Sequence, residues 1–184
     1  RPWRLFVAHP VPDAVRDELQ RQLAPYRRRY REVRWTHPET WHLTLLFLGG
    51  VQAARVTELQ ALVERVAARR SPYRLTADVG DGRARERDGV AWLGLAEGAA
   101  ELIGVADELA RACPADITDG APPKRTPSAH LTLVRRADAA VICALREQAH
   151  GRLQVEWTAV RMVLMRSHLE PNRARYETLH WATL

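Results

Sequence analysis

The strongest pattern in the chain is an alternation of polar and apolar residues that occurs twice in the same order. The string His-Leu-Thr-Leu occupies residues 42–45 and again residues 130–133. Successive side chains of a β-strand point to opposite faces, so each string presents a histidine and a threonine on one face and two leucines on the other. The leucines predict a buried face, and the repetition predicts two such strands that line one cleft.

Apolar residues spaced three or four positions apart predict four helices. The first is expected to begin at Pro12, because proline suits the first turn of a helix, and to end at Pro25, because proline disrupts a helix interior. The other three are predicted over residues 53–68, 99–112 and 139–149.

Runs of alternating or continuous apolar residues predict strands between these helices. The predicted strands cover residues 4–8, 33–36, 41–48, 73–79, 90–95, 129–135, 153–158, 160–165 and 176–181. Gly49 and Gly50 are expected to end the third of them. Residues 80–89 predict a polar hairpin loop, and residues 113–128 predict a longer loop that is rich in proline.

Short hairpin links join several of the predicted strands, while helices separate others. This mixture favours an α+β fold with antiparallel strand pairing over an all-parallel sheet. The two strings lie nearly half the chain apart, and each follows a strand, a helix and a proline-containing turn. That spacing indicates an ancient duplication, although the halves share little sequence outside the two strings.

Length and composition are those of an ordinary globular protein. The 184 residues can bury a core as one large domain or two small lobes, and 46% hydrophobic with 27% charged residues is typical. No apolar run approaches the roughly 20 residues that a membrane span needs, and the run from Trp3 to Ala8 is too short for a secretory signal. Cys113 and Cys143 predict buried thiols in a reducing compartment, so the cytoplasm is the expected location.

The charge balance of the chain is basic. The net charge is +6, and Lys124 is the only lysine among 28 basic residues, so the others are arginines. A basic surface suits a polyanion such as RNA, whereas a GC-rich genome would give the same arginine excess without functional meaning. The arginine cluster at residues 27–31 is either an RNA contact or a solvated helix end.

Two histidines that face one cleft can act as an acid and a base. Their ordinary pKa of about 6.5 lets a charged donor and a neutral acceptor coexist around neutral pH. The hydroxyl groups of Thr44 and Thr132 can bind the oxygen atoms of a phosphate. With these threonines, His42 and His130 would cleave a phosphodiester without a metal, one histidine activating water while the other protonates the departing oxygen.

Other interpretations of the two strings are less well supported. A single such string is more often structural than catalytic, but two copies with matching leucines favour a site. A metal site needs a third ligand at matching spacing, and the other histidines are scattered: His9, His37, His150, His168 and His180. The sequence contains no GxSxG nucleophile motif and no GxxxxGK(S/T) phosphate loop. We therefore expect neither a metal nor another cofactor.

The chain resembles the two-histidine phosphoesterase superfamily, and within it the bacterial and archaeal RNA 2′,3′-cyclic phosphodiesterases, which are also called 2′-5′ RNA ligases. The similarity is carried by WHLTLLFLG at residues 41–49 and SAHLTLVR at residues 128–135, and it extends from RLFVA at residues 4–8 to a closing strand near Trp181. The resemblance implies one bilobal domain over residues 1–184. Its two similar halves of antiparallel sheet, with helices outside, would enclose a central cleft that carries both strings.

The resemblance also implies a reaction and a role for each site residue. RNA 2′,3′-cyclic phosphate ends would be hydrolysed to 2′-phosphates, with His42 as the proton donor to the leaving 3′ oxygen and His130 as the base that activates water. Thr44 and Thr132 would hold the non-bridging phosphate oxygens. Arg135 would assist with the phosphate charge, for which a forked guanidinium is suited. Because Arg135 lies at an odd offset from His130, it needs a bend or bulge in the strand to reach the cleft.

The sequence leaves four functions open. The first is hydrolysis of RNA ends in RNA processing, with tRNA fragments as one candidate substrate. The second is ATP-independent 2′-5′ ligation, in which an RNA 5′-hydroxyl replaces water. The third is an esterase that acts on a small cyclic nucleotide or on ADP-ribose 1″,2″-cyclic phosphate, and the fourth is a non-catalytic RNA-binding module. No membrane association and no obligate protein partner are expected, and the protein is expected to be a monomer.

Overall fold

The computed structural model describes residues 1–79, 89–118, 120–126, 129–170 and 174–184. Within these ranges it contains four α-helices: α1 (Asp13–Arg29), α2 (Val56–Ala67), α3 (Ala99–Ala112) and α4 (Ala139–Ala149). It also contains ten strands: β1 (Trp3–Pro10), β2 (Arg34–Trp35), β3 (His42–Val51), β4 (Tyr73–Asp78), β5 (Ala91–Glu97), β6 (Lys124–Arg125), β7 (His130–Arg135), β8 (Gln154–Ala159), β9 (Arg161–Leu169) and β10 (Ala174–Thr183). None of the described helices has the length and apolar character that a membrane span requires.

The strands form two five-stranded sheets, and the pairs within them are antiparallel. The first sheet has the order β10-β9-β1-β3-β6, and the second has the order β2-β7-β5-β4-β8. In each sheet the strand that carries a histidine string lies between a long partner and a two-residue edge strand. This repeated placement confirms the predicted α+β fold of two similar halves.

The leucines of both strings lie in the core, as the alternation predicts. Leu43, Leu45 and Leu131 are completely buried, and Leu133 is nearly so. The histidines and threonines of the strings are half-buried. One buried cluster includes residues from both sheets, among them these leucines. Burial of the leucines on one side of each strand therefore holds the histidine and threonine on the opposite, half-buried side.

Helix α1 does not end at Pro25, which corrects the prediction from sequence. Proline lacks a backbone N–H and removes one hydrogen bond from the helix, yet α1 continues to Arg29. Tyr26 packs against the core, and its hydroxyl donates a hydrogen bond to the Gln148 carbonyl oxygen at 3.1 Å. This tertiary contact stabilises the last turn despite the missing backbone bond.

Gly49 and Gly50 do not end β3, which is a second correction. Leu5 pairs with Gly49 while Phe6 pairs with Phe47, so β3 carries one extra residue at this point. Gly49 has φ +75°, a conformation that glycine adopts without a steric penalty and that is typical of a bulge. Because the strand resumes after the bulge, the glycines bend β3 instead of ending it.

Two predicted loops have different outcomes. The loop predicted over residues 113–128 contains the short strand β6, which pairs with Leu46 and Phe47 of β3. The hairpin loop predicted over residues 80–89 lies outside the described residues apart from Gly89.

Candidate active site

All five site residues predicted from the sequence line one cavity of about 360 Å³. His42 and Thr44 come from β3, whereas His130, Thr132 and Arg135 come from β7. Because β3 and β7 belong to different sheets, the cavity lies where the two halves of the fold meet.

Hydrogen bonding and ring contacts fix the orientation of His42. Its Nδ1 lies 2.7 Å from the carbonyl oxygen of Thr40, and a carbonyl can only accept, so Nδ1 carries a proton and donates it. The ring centroid of His42 lies 4.8 Å from that of Phe6 and 5.1 Å from that of Tyr176. The remaining nitrogen, Nε2, is therefore the atom of His42 that can exchange a proton with a substrate.

The electrostatic surroundings of His42 favour its neutral form. Burial lowers the pKa of His42 to about 4, and the hydrogen bond to Thr40 opposes this effect only in part. The charges of Arg135 and His130 are smaller causes that act in the same direction as burial. An anion bound between these groups would act in the opposite direction, because it stabilises the charged imidazolium.

The second histidine lies beside an aromatic ring of the neighbouring strand. In the β5–β7 pair, His130 is opposite Gly94 and Thr132 is opposite Trp92. The ring centroids of His130 and Trp92 are 5.1 Å apart. Both histidines of the site therefore contact aromatic rings: His42 contacts Phe6 and Tyr176, and His130 contacts Trp92.

A bulge at the fourth residue of each string allows the strand to add a further side chain to the cavity. Trp92 pairs with Thr132 while Ala91 pairs with Val134, so Leu133 is the extra residue of β7. In the same way, Ala8 pairs with Thr44 and Val7 with Leu46, which makes Leu45 the extra residue of β3.

The consequence of the bulges is that two consecutive residues of each strand are buried. Alternation then resumes with the opposite phase, so that Phe47 and Arg135 join the side that carries the histidines, and both line the cavity. The bulge that the odd offset of Arg135 requires is therefore present. Phe47, which is 50% exposed, is its counterpart in the first half.

Sequence reasoning missed several residues of the cavity wall. Arg34 of the edge strand β2 pairs with Arg135, and Arg136 follows with φ +58°. All three arginines line the cavity, and like charges opposite each other destabilise a sheet unless an anion compensates. Tyr176 of β10 also lines it. No local spacing signal marks these positions, although the repeated pair of apolar residues after each threonine could have indicated Phe47.

The fully buried His9 has a structural environment outside this cavity. Its Nδ1 donates to the Arg161 carbonyl oxygen at 2.7 Å, and its Nε2 lies 2.6 Å from the Tyr73 hydroxyl. Burial lowers the pKa of His9 to about 4. His168 and His180 lie within hydrogen-bond distance of the carboxylates of Glu177 and Glu64. Within the described ranges, no group of three His, Cys, Asp or Glu side chains is arranged to hold a metal ion.

Known phosphoesterases are similar to this chain in sequence and in fold. A family model described as LigT-like phosphoesterase matches residues 10–92. An RNA 2′,3′-cyclic phosphodiesterase of Aquifex aeolicus is 32% identical over 79 residues, which span 42% of this chain and 42% of that protein. The chain thus matches less than half the length of this relative.

Solved structures extend the similarity beyond the sequence match. The crystal structure of E. coli LigT complexed with 3′-AMP has a TM-score of 0.72 and 26% identity, covering 100% of this chain and 99% of that one. The structure of E. coli LigT complexed with NADP⁺ has a TM-score of 0.71, 26% identity and the same coverage. In sequence over residues 10–92 and in fold over its whole length, the chain is similar to the LigT-like phosphoesterases.

Proposed function

We propose that this protein hydrolyses RNA 2′,3′-cyclic phosphate ends to 2′-phosphates by acid–base catalysis. The observation that carries the proposal is the meeting of two histidines, two threonines and three arginines in one cavity at the junction of the sheets. The similarity to the Aquifex aeolicus phosphodiesterase supports the choice of a cyclic phosphate substrate.

The proposed reaction assigns one proton transfer to each histidine. His130 removes a proton from water, whose oxygen attacks the phosphorus. The bond between phosphorus and the 3′ oxygen then breaks, and His42 gives its Nε2 proton to that oxygen. The product carries a 2′-phosphate and a free 3′-hydroxyl, and a proton passed from His130 to His42 through solvent restores both groups.

The other polar groups of the cavity would bind the phosphate. The hydroxyls of Thr44 and Thr132 donate to the non-bridging oxygens, and the guanidinium of Arg135 compensates their charge. The bound anion raises the pKa of His42 from its low value and so increases the fraction that can act as a proton donor.

The same arrangement would run in reverse with a different nucleophile. If the 5′-hydroxyl of a second RNA replaces water, His130 activates it and a 2′-5′ linkage forms without ATP. We further propose that the chain works as one bilobal monomeric domain in the cytoplasm, on RNA ends that include those of tRNA fragments. The buried cluster that takes residues from both sheets supports the single domain.

Hydrolysis of a nucleoside 2′,3′-cyclic phosphate in ¹⁸O-labelled water tests the proposed reaction. We expect one labelled oxygen in a 2′-phosphate product. The variants His42→Asn and His130→Asn should each lose about 10²- to 10⁴-fold in rate, the usual contribution of a general acid or base. His180→Asn is a matched control, because His180 contacts Glu64 outside the cavity.

Two results would contradict the proposal. One is a folded His42→Asn or His130→Asn variant that retains half of the parent rate. The other is a labelled 3′-phosphate product, which would place the leaving oxygen at the 2′ position.

A further inference from the structure

A second cavity, of about 580 Å³, adjoins the candidate active site. Trp41, His42 and Tyr176 line both cavities. The second cavity otherwise has a different wall, to which Arg161 of β9 and Trp181 of β10 contribute. Its volume is within the range of about 300–1,000 Å³ that is usual for ligand sites. It is therefore large enough to hold a chemical group attached to the reacting one.

The wall of this second cavity carries an exposed aromatic ring beside an arginine. Trp181 is 50% exposed, although large apolar side chains are usually buried. The Arg161 guanidinium carbon lies 5.7 Å from the centroid of the Trp181 ring, and Arg161 itself is exposed. Aromatic rings and arginine planes are the surfaces on which proteins stack the bases of single-stranded RNA.

His42 lies in the wall that the two cavities share, so the proposed reaction takes place next to the second cavity. In the proposed reaction His42 protonates the 3′ oxygen, so the terminal ribose lies next to the wall that both cavities share. The RNA strand leaves that ribose through its 5′ oxygen. The preceding nucleotide must therefore lie within one nucleotide's length of His42, and the second cavity begins there.

We propose that this second cavity is a subsite for the penultimate nucleotide of the RNA, with its base stacked on Trp181. The inference rests on the proposed function, because it takes the terminal ribose to lie at His42. It adds that the protein prefers an RNA end to a mononucleotide, and that the preference depends on a base and not only on phosphate charge.

The test compares kcat/KM for three substrates that end in the same nucleoside 2′,3′-cyclic phosphate: the mononucleotide, the dinucleotide, and a dinucleotide whose first residue is abasic. The parent protein should prefer the full dinucleotide to the other two. One base–aromatic stack corresponds to roughly 5- to 150-fold in affinity, so Trp181→Ala should reduce the preference by a factor in this range and leave the mononucleotide rate unchanged.

Two further variants serve as controls. Trp181→Phe keeps an aromatic surface and should retain most of the preference. Leu169→Ala removes an apolar side chain that is 73% exposed on β9 and lines neither cavity, so it should change nothing.

The outcomes separate this inference from the function on which it rests. If the mononucleotide is hydrolysed but the parent shows no preference, or the abasic dinucleotide is as good as the full one, the subsite is wrong and the proposed function stands. A Trp181→Ala effect of equal size on all three substrates would show a structural role and would also overturn the subsite. If no substrate is hydrolysed, the proposed function and the subsite both fail. The abasic comparison needs no variant, so it decides the matter even if Trp181→Ala does not fold.

Discussion

The pH dependence of kcat/KM tests whether the half-buried His42 takes part in the reaction. Burial lowers its pKa from 6.5 to about 4, so at pH 6.5 about one molecule in 300 carries a protonated His42, instead of one in two. Because kcat/KM reports groups of the free enzyme, and the lower of the two pKa values sets the acidic limb whichever histidine it belongs to, we expect a bell-shaped profile whose acidic limb lies near pH 4. A pair of unperturbed histidines would place that limb at about pH 6.5.

The variant Arg135→Gln should move this limb in a defined direction. The charge of Arg135 lowers the pKa of His42, and its removal should shift the limb to higher pH. The limb should stay below pH 6.5, because burial is the larger cause and is unchanged. The overall level of kcat/KM should also fall, since glutamine does not provide a charged, forked donor for the phosphate.

Arg136→Gln is the matched control for this experiment. Arg136 lines the same cavity, but the charges that contribute to the low pKa of His42, besides burial, are those of Arg135 and His130. Rates would be measured with a nucleoside cyclic phosphate from about pH 3 to about pH 8, and aliquots returned to neutral pH would show whether the protein had unfolded. A parent limb near pH 6.5, or equal shifts for Arg135→Gln and Arg136→Gln, would refute the reasoning.

Three other measurements test separate parts of the proposal. Hydrolysis should survive EDTA, because the cavity supplies acid, base and anion donors itself; complete loss that Zn²⁺ or Mn²⁺ restores would contradict this. The free energy of unfolding should decrease by about 3 kcal/mol between pH 6.5 and 4 on account of His9 alone. In this range the unfolded state binds a proton at His9, whereas the folded state, in which the pKa of His9 is about 4, does not. Urea unfolding of the parent and of His9→Gln measures this contribution, and an equal pH dependence of the two proteins would contradict it. Salt should weaken kcat/KM more for an RNA oligonucleotide than for a mononucleotide, with an extra log–log slope of about −0.7 for each further phosphate contacted; equal slopes would argue against an RNA strand as substrate.

Sequence alone predicts those elements whose signals are local. The bounds of α3 and α4 were predicted as residues 99–112 and 139–149 and were found there, because an uninterrupted apolar spacing determines which face of a helix is buried. The end of α1 was predicted wrongly, because the local effect of Pro25 is outweighed by a contact between Tyr26 and Gln148. That contact joins residues far apart in the chain and leaves no local pattern.

The same distinction applies to the candidate site. Alternation within a strand is enough to place His42 and Thr44 on one face, and the repetition of the string identifies their partners in the second half. Tyr176 could not be found in this way. Its ring contacts that of His42 although β10 lies three positions from β3 in the sheet, and a contact between residues so far apart in the chain leaves no local pattern.

The two bulges show how similar halves can build an asymmetric site. In both strings the fourth residue, Leu45 or Leu133, is the extra residue, and the two apolar residues that follow the threonine are both buried. A strand without a bulge would send the next side chain into the core, where an arginine would be costly. With the bulge it joins the cavity, as Phe47 in the first half and Arg135 in the second. The halves therefore supply equivalent histidines and threonines but one apolar and one cationic wall, which suits a substrate that has an uncharged base at one end and a charged phosphate at the other.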